Sequence, residues 1–259
     1  MPLDESFLVR LSSLSESQLE AIENIVSQFE RPFDFQRNDA SDLVSDCLLR
    51  ELGDTLRIHH CFSAQAFTKD KFEYALERSF NICGRRAVLS PRGNPGADIA
   101  IDGVPFSLKT QADSGIKRDF IHISKFMELG KGDWSDKPEQ LPGLRERFLH
   151  HMEQYERILT LRYFKLEREH LYELVEIPKA LLLEARNGTF EMMLKSKQMP
   201  KPGSCTVAGT TGMKFQLYFD GGTERKLQVR HIDKSLCIVH AKWMFDRGIK
   251  ITEESTLSV

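Results

Sequence analysis

Apolar side chains recur at spacings of three and four residues in several parts of the chain, which is typical of helices with one buried face. One such stripe covers 15–29, and Ser15 with Gln18 fits a capping box at its start. Three further helices are predicted at about 41–52, ending near Gly53, at 69–82 and at 140–159. A last helix is expected to open at Pro178 and to stop at Asn187-Gly188, because proline suits a first helical turn and glycine follows a last one.

Shorter apolar runs between polar turns predict strands at 120–123, 160–166, 171–177, 214–219, 225–232 and 236–243. Gly221-Gly222 is expected to join two of them as a hairpin. The order of elements predicts a single α/β domain over 1–259. It has a helical N-terminal lobe at 1–62, a central part with a further hairpin at 63–132, and a helix plus a β-rich part at 133–259.

The most informative segment, 94–111, predicts a tight two-stranded hairpin. Asp102-Gly103 is a strong two-residue turn signal, and it sets the register of the two strands. Asp98 then lies opposite Ser107, with Cβ atoms roughly 4.5–5.5 Å apart, and Lys109 is its diagonal neighbour at roughly 7–8 Å. We expect this charged face to stay open, whereas the other face is apolar and suited to burial, since it carries Ile99, Ile101, Phe106 and Leu108.

The composition is that of an ordinary globular protein: 259 residues, 41% hydrophobic and 29% charged. A net charge of −2 argues against a non-specific, histone-like nucleic-acid binder, but it allows a sequence-specific one with basic residues local to a cleft. We find no apolar run near the roughly 18 residues of a membrane span and no signal peptide, so we expect the cytoplasm. Reduced, mostly buried thiols are expected, because no Cys-x-x-Cys pair occurs among Cys47, Cys61, Cys83, Cys205 and Cys237.

The hairpin places one carboxylate and one ammonium on the same face, and this pair suits Mg²⁺-assisted hydrolysis of a phosphodiester. In such a site Asp98 holds the metal, and Lys109 orients or deprotonates the attacking water. The Leu108 carbonyl is a further candidate metal ligand, and Gln111 lies on the same face as Lys109. Without further evidence, Asp98 and Lys109 are also compatible with an ordinary cross-strand ion pair, which would stabilise the fold by about 0.2–1 kcal/mol.

A metal nuclease needs more than one acid, and the short pattern in this chain lacks the second. The position two residues before Lys109 is Ser107, which cannot replace a carboxylate ligand. Either the site is inactive or the missing charge comes from elsewhere. The helix at 69–82 is the natural donor, since Glu73 and Glu77 share one of its faces. Glu73 is our first choice and Glu77 the second, although most carboxylates are simply solvated surface.

A second group of polar residues lies on the strand predicted at 225–232. Lys226, Gln228 and Arg230 project from one face and suit base edges, with Arg or Lys donating to guanine and Gln pairing with adenine. By itself this alternation is ordinary for a half-exposed strand. Beside a nuclease hairpin it becomes a candidate for base readout. Further candidates for DNA contact are Arg92 and Asn94 in the lead-in to the hairpin, and Arg85, Arg86, Lys117 and Arg118 for phosphates.

Several segments resemble the SmaI family of type II restriction endonucleases, within the PD-(D/E)XK nuclease superfamily. They are AFTKDKFEYA (66–75), NPGADIAIDG (94–103), SLKT (107–110), MELGKG (127–132), YERILTLRYFK (155–165), LVEIPKALLLEA (174–185) and LYFDGGTERKLQV (217–229). They span most of the chain, so the likeness is global. The resemblance implies a restriction-endonuclease-like core, a mixed sheet flanked by helices, with the catalytic core at 63–132 and DNA recognition in 133–259.

The resemblance also implies Mg²⁺-dependent cleavage of double-stranded DNA at a short palindrome, with CCCGGG cut to blunt ends as the prototype. Asp98 and Lys109 match the catalytic acid and lysine, Glu73 matches the acid of the helix, and Ser107 departs from the superfamily pattern. A homodimer is expected because a palindrome has twofold symmetry, and a cognate DNA methyltransferase is expected in the host. Two alternatives stay open: a repair-type nickase or structure-specific nuclease of the same fold, and a catalytically inactive DNA-binding protein, which Ser107 favours.

Overall fold

The computed structural model describes residues 4–91, 93, 96–130, 134–210 and 212–248. Its helices are α1 (Glu5–Ser12), α2 (Glu16–Glu30), α3 (Asp46–Phe62), α4 (Lys69–Ile82), α5 (Leu141–His151) and α6 (Lys179–Leu183). Its strands are β1 (Phe33–Arg37), β2 (Ala87–Leu89), β3 (Ile99–Ile101), β4 (Val104–Gln111), β5 (Phe120–Glu128), β6 (Arg157–Lys165), β7 (Glu169–Ile177), β8 (Thr189–Met192), β9 (Gly203–Ala208), β10 (Met213–Phe219), β11 (Lys226–Asp233) and β12 (Ile238–Asp246). Within these ranges, none of the helices has the length and apolar character needed to cross a membrane.

The strands form two sheets. The larger has seven strands in the order β1-β12-β7-β6-β4-β3-β2, antiparallel except for the parallel neighbours β4 and β6. The smaller is antiparallel, with five strands in the order β5-β11-β10-β9-β8. The protein is therefore mixed α/β with a mixed sheet flanked by helices, which confirms the predicted architecture at that level.

Two apolar cores lie on either side of the larger sheet. On one side α3 and α4 cover it, and Phe72, Phe106 and Trp243 are buried there. On the other side α5, α6 and the apolar face of the smaller sheet meet it, around Phe148 and other buried side chains. Because both faces are covered, β6 is buried without alternation from its second residue to its eighth.

The hairpin has the predicted register. Ile101 faces Val104, and Asp102 and Gly103 between them have φ values of 50° and 84°, as a primed two-residue turn requires. The apolar face is buried as expected. The prediction that the other face stays open is wrong, because Ser107 is fully buried and Lys109 only 9% exposed. The fold packs β5 and the end of α5 over this face.

Two predicted helices have the right position and ends. α2 carries the predicted capping box, and α4 covers the predicted 69–82. The helix predicted at 41–52 is wrong at both ends, since α3 begins at Asp46 and continues through Gly53 to Phe62. A Cβ on Gly53 would lie 2.3 Å from Cε2 of Phe35, so this glycine marks a close approach between helix and strand rather than a helix end.

The long helix predicted at 140–159 is also wrong at its C-terminal end. α5 stops at His151, a short 3-10 turn follows, and β6 begins at Arg157. The apolar residues after the turn are compatible with a buried strand as well as with a helix. They form a strand because they pair with β4 and β7. The pattern also missed α1, β1, β2, β8 and β9.

The prediction of reduced thiols is wrong for one pair of cysteines. Cys47 on α3 and Cys83 at the end of α4 form a disulfide, with Cα atoms 5.8 Å apart. The two helices pack side by side, which brings together residues separated by 36 positions. Cys61, Cys205 and Cys237 are free thiols.

Candidate active site

Asp98 stands at the start of β3, where the hairpin opens. Its backbone N–H donates to the Phe106 carbonyl at 2.8 Å, although Phe106 is the register partner of Ile99, so the regular pairing ends at Ile99. Its Oδ2 accepts two hydrogen bonds, from the Leu108 N–H at 2.6 Å and from the Ser107 hydroxyl at 3.3 Å. Ser107, two residues before Lys109, therefore helps to orient the acid. Oδ1 is directed to a different partner.

That partner is Lys69, which sequence reasoning missed. Its Nζ lies 2.7 Å from Asp98 Oδ1 and 3.1 Å from Glu73 Oε1. Lys69 and Glu73 are one turn apart on α4, so their side chains meet on the same face. Burial opposes the charge of Lys69, but its bonds to Asp98 and Glu73 outweigh that effect and raise its pKa. Two carboxylates from different elements thus converge on one cation.

Lys109 is buried beside this group without joining it. In the described part of the chain, the salt bridge of Asp98 is to Lys69 and not to Lys109. The Lys109 Nζ instead lies 5.2 Å from the ring centroid of Phe126, which β5 brings over the hairpin. Burial lowers the pKa of Lys109 to about 8, while the negative charges of Asp98 and Glu73 work in the opposite direction. The amine is therefore able to gain and lose a proton near neutral pH.

Two further side chains, His151 and Tyr155, extend the aromatic group that begins with Phe126. The ring of His151, at the end of α5, lies 6.1 Å from Phe126 and 5.5 Å from Tyr155 between centroids. Burial lowers the pKa of His151 to about 4, and the charge of Lys109 acts in the same direction. Among the described residues the buried Tyr155 hydroxyl has no hydrogen-bond partner. An unpaired buried hydroxyl is costly, so this atom is a candidate contact for water or substrate.

Two other candidates on the same elements are engaged elsewhere. The Glu77 carboxylate accepts from the Leu89 N–H at 2.9 Å and so supports β2. The Gln111 side chain accepts from Arg162 at 3.1 Å, and Arg162 is also paired with Glu173 at 2.8 Å in a buried network. The structure therefore groups Glu73 with Asp98, and it directs Glu77 and Gln111 into structural contacts.

The two carboxylates line an open cleft of about 620 Å³, which Lys69 also borders. Among the described residues no group of three or more His, Cys, Asp or Glu side chains is arranged to hold a metal ion. Mg²⁺ does not need one, because it is commonly held by one or two carboxylates with water and substrate phosphate. The ammonium of Lys69 shows that Asp98 and Glu73 already stabilise a cation between them. The donor set therefore fits Mg²⁺.

The polar face of the smaller sheet presents Arg230 in a fixed position. Its guanidinium carbon lies 3.4 Å from the ring centroid of Tyr218, and its Nε donates to Gln228 Oε1 at 2.9 Å. Gln228 in turn donates through Nε2 to Asp220 Oδ2 at 3.0 Å, whereas Lys226 pairs with Glu224 at 3.2 Å. Arg92 and Asn94 lie outside the described residues.

Three residues that shape these sites were not predicted from the sequence, and the sequence carried a signal for two of them. Lys69 stands four positions before Glu73 in AFTKDKFEYA, and this spacing predicts that the two side chains meet on one face of the helix. Asp220 directly precedes the glycines of the second hairpin, where a side chain often bonds to the turn. Phe126 carried no such signal, because its contact with Lys109 depends on how the two sheets meet.

A cleft with two convergent carboxylates and a buried lysine of lowered pKa is compatible with a metal-dependent nuclease, and comparison with known proteins defines the class. Residues 8–245 match the SmaI family of type II site-specific deoxyribonucleases, and the chain belongs to that family. It is 45% identical over 248 residues to the type II restriction enzyme SmaI of Serratia marcescens, across 95% of this chain and 98% of that enzyme. No solved structure matches the chain.

Proposed function

We propose that this restriction endonuclease cuts both strands of DNA at a short palindrome, in a Mg²⁺-dependent reaction that leaves 5′-phosphate and 3′-hydroxyl ends. CCCGGG, which the family resemblance implies, is the proposed site. The observation that carries the proposal is the convergence of Asp98 and Glu73 on one cation, next to the buried Lys109. We also propose that the core is of the PD-(D/E)XK type, although the strand acid of that pattern is replaced here by Ser107.

Asp98 and Glu73 would hold the metal, with the Leu108 carbonyl as a third ligand. The Leu108 N–H already points to Asp98, and in an extended strand the N–H and C=O of one residue point to the same side. When bound, the metal would polarise the scissile phosphate and lower the pKa of its own water. Ser107 would keep Asp98 in the rotamer in which Oδ2 faces the hairpin and Oδ1 faces Lys69, and the metal would take Oδ1 in place of that ammonium.

Lys109 would orient the attacking water and take up its proton. A lysine with a pKa of about 8 is partly neutral at the working pH of most cells, which an exposed lysine is not. The Tyr155 hydroxyl would donate a hydrogen bond to the same water, and the neutral His151 would keep the surroundings of Lys109 from gaining a further charge. Attack of the water on phosphorus would then break the bond to the 3′ oxygen, which would take a proton from solvent and leave as the 3′-hydroxyl.

We propose Arg230 as a base-reading residue. Its Nε is used by Gln228, so the terminal nitrogens would be the atoms that donate to O6 and N7 of guanine. Both ends of the Gln228 amide are used within the protein, so we propose that Gln228 positions Arg230 and does not itself read adenine. Lys226, Arg92 and Asn94 remain proposed DNA contacts. This arrangement favours a target rich in G·C pairs.

The partners follow from the proposed reaction. A homodimer would match a palindromic site, with one catalytic cleft for each strand. A cognate methyltransferase would protect the host DNA, and the enzyme would act in the cytoplasm, where incoming DNA is met. The Cys47–Cys83 disulfide stands against that compartment, since such bonds are rare in cytosolic proteins.

The test is to incubate the purified protein with plasmid DNA, with and without Mg²⁺, and to sequence the ends of the products. Discrete Mg²⁺-dependent fragments that share a palindrome would support the proposal. An intact plasmid in several divalent metals would instead indicate an inactive DNA-binding protein, and nicks without a consensus would indicate a repair-type nuclease.

Matched variants test the assignment of residues. Asp98→Asn and Lys109→Met should each abolish cleavage while the circular dichroism spectrum stays unchanged. Asp34→Asn and Lys71→Met, which remove an exposed charge of the same kind away from the hairpin, should cleave as the unmodified enzyme does. Full activity of either hairpin variant would reject the catalytic site.

A further inference from the structure

The ammonium of Lys69 occupies the position between the two acids of the proposed metal site. It contacts Oδ1 of Asp98 and Oε1 of Glu73, and both of these residues line the cleft. The Lys69 side chain is 40% exposed, compared with 17% for Asp98 and 21% for Glu73. The lysine therefore approaches from the solvent side and lies over the acids.

An ammonium and a metal ion cannot share these oxygens. Asp98 Oδ2 is already engaged by the hairpin, so Oδ1 is the oxygen that a metal would take first. Without a cation, Asp98 and Glu73 would repel each other in a partly buried place. Lys69 removes that repulsion, and its flexible four-carbon stem allows the ammonium to leave into solvent.

We infer that Lys69 is a built-in, displaceable cation that competes with the metal for Asp98 and Glu73 and thereby weakens metal binding in the absence of DNA. The inference rests on the metal-dependent function proposed above. It assigns to Lys69 a positioning role: it holds α4 and the hairpin together in the metal-free enzyme and moves away when the metal arrives. Nothing in this role requires Lys69 to touch the reacting phosphate.

Mn²⁺ titrated into the metal-free protein, followed by isothermal calorimetry, measures this competition directly. Lys69→Met should bind Mn²⁺ about tenfold more tightly than the unmodified protein, which is the change expected when an ammonium paired with two carboxylates is lost. Lys69→Arg keeps the charge and should restore weak binding. Lys71→Met, which removes an exposed ammonium two positions along α4, is the matched control and should bind as the unmodified protein does.

Thermal melts separate displacement from a simple loss of nearby charge. Lys69→Met should melt at a lower temperature than the unmodified protein without metal, and at the same temperature when both are saturated with Mn²⁺. If Lys69 stays on the acids in the loaded protein, the difference persists with metal, and the inference is wrong.

Asp98→Asn distinguishes failure of the inference from failure of the proposed function. If Asp98→Asn abolishes Mn²⁺ binding but Lys69→Met leaves the affinity unchanged or weaker, the metal site stands and the role of Lys69 is rejected. If no form binds Mn²⁺, the proposed metal site is itself wrong, and the inference falls with it.

Discussion

We expect acid to destabilise the protein, because two stacked histidines are uncharged in the folded state. The rings of His60 and His170 lie 3.6 Å apart between centroids. His60 Nδ1 must donate to the Ser63 carbonyl at 2.9 Å, so its Nε2 accepts from the Tyr172 hydroxyl at 2.8 Å. That hydroxyl in turn accepts from the Phe67 N–H at 3.1 Å. A proton on Nε2 would remove this acceptor and place a charged ring against its neighbour.

The size of the effect follows from the pKa values. Burial lowers the pKa of His60 to about 4 and that of His170 to about 3, from an ordinary 6.5. Because the folded pKa lies below the unfolded one, the stabilisation is complete above pH 6.5 and is lost as the pH falls toward about 3. From these pKa values, proton linkage gives a loss of folding free energy of about 3 kcal/mol for each ring at pH 4. Solvent screening and coupling between the two rings lower the expected loss for the pair to about 3 kcal/mol in total.

Urea unfolding followed by tryptophan fluorescence between about pH 7 and pH 4 measures this loss. His170→Phe should be about 1 kcal/mol less stable at neutral pH, because it loses the 2.8 Å hydrogen bond to Tyr163. Between pH 7 and pH 4, however, the unmodified protein should lose about 1–2 kcal/mol more than this variant. The exposed His150, replaced by Phe, is the control and should leave the pH profile unchanged. Parallel profiles for the unmodified protein and His170→Phe would refute the reasoning.

Two further predictions concern stability. Gly53→Ala should lower the free energy of unfolding by about 1–3 kcal/mol, because the new Cβ would lie 2.3 Å from Phe35. Gly143→Ala in α5, where a Cβ meets nothing within 4 Å, should be neutral or stabilising by up to about 1 kcal/mol, and similar urea midpoints for the two variants would contradict the argument. Reduction of Cys47–Cys83, which closes a loop of 36 residues, should cost about 2–4 kcal/mol in urea unfolding, and unchanged stability under reductant would argue against the bond.

The elements predicted correctly are those whose determinants are local in sequence. α4 begins after Thr68, whose hydroxyl accepts from the Lys71 N–H, and its apolar stripe extends to Phe80 and faces the core. The hairpin follows from the turn itself, because Asp102 and Gly103 accept the left-handed backbone that the turn requires. Once that turn is placed, the pairing of Ile99 with Phe106 follows from strand geometry, and it brings Asp98 within hydrogen-bond distance of Ser107.

The wrong predictions concern features that depend on contacts with distant parts of the chain. The residues after α5 suit a helix and a strand alike, and pairing of β6 with two neighbours settles the choice. The open face predicted for Lys109 is covered by Phe126, whose strand belongs to the other sheet. Cys47 and Cys83 meet because two helices pack together, and their spacing in sequence carries no sign of it.

At Ser107, the interpretation from the sequence alone differs from the interpretation that the fold supports. Read alone, it indicates a site that has lost a ligand. In the fold Ser107 is fully buried and bonded to Asp98, so a carboxylate there would place two negative charges side by side out of water. Glu73 instead brings its charge from α4, at the rim of the cleft, where Lys69 neutralises it. The cleft is thus lined by two carboxylates, those of Asp98 and Glu73, without the desolvation penalty of a carboxylate at the buried position 107. Ser107 is therefore compatible with an active nuclease.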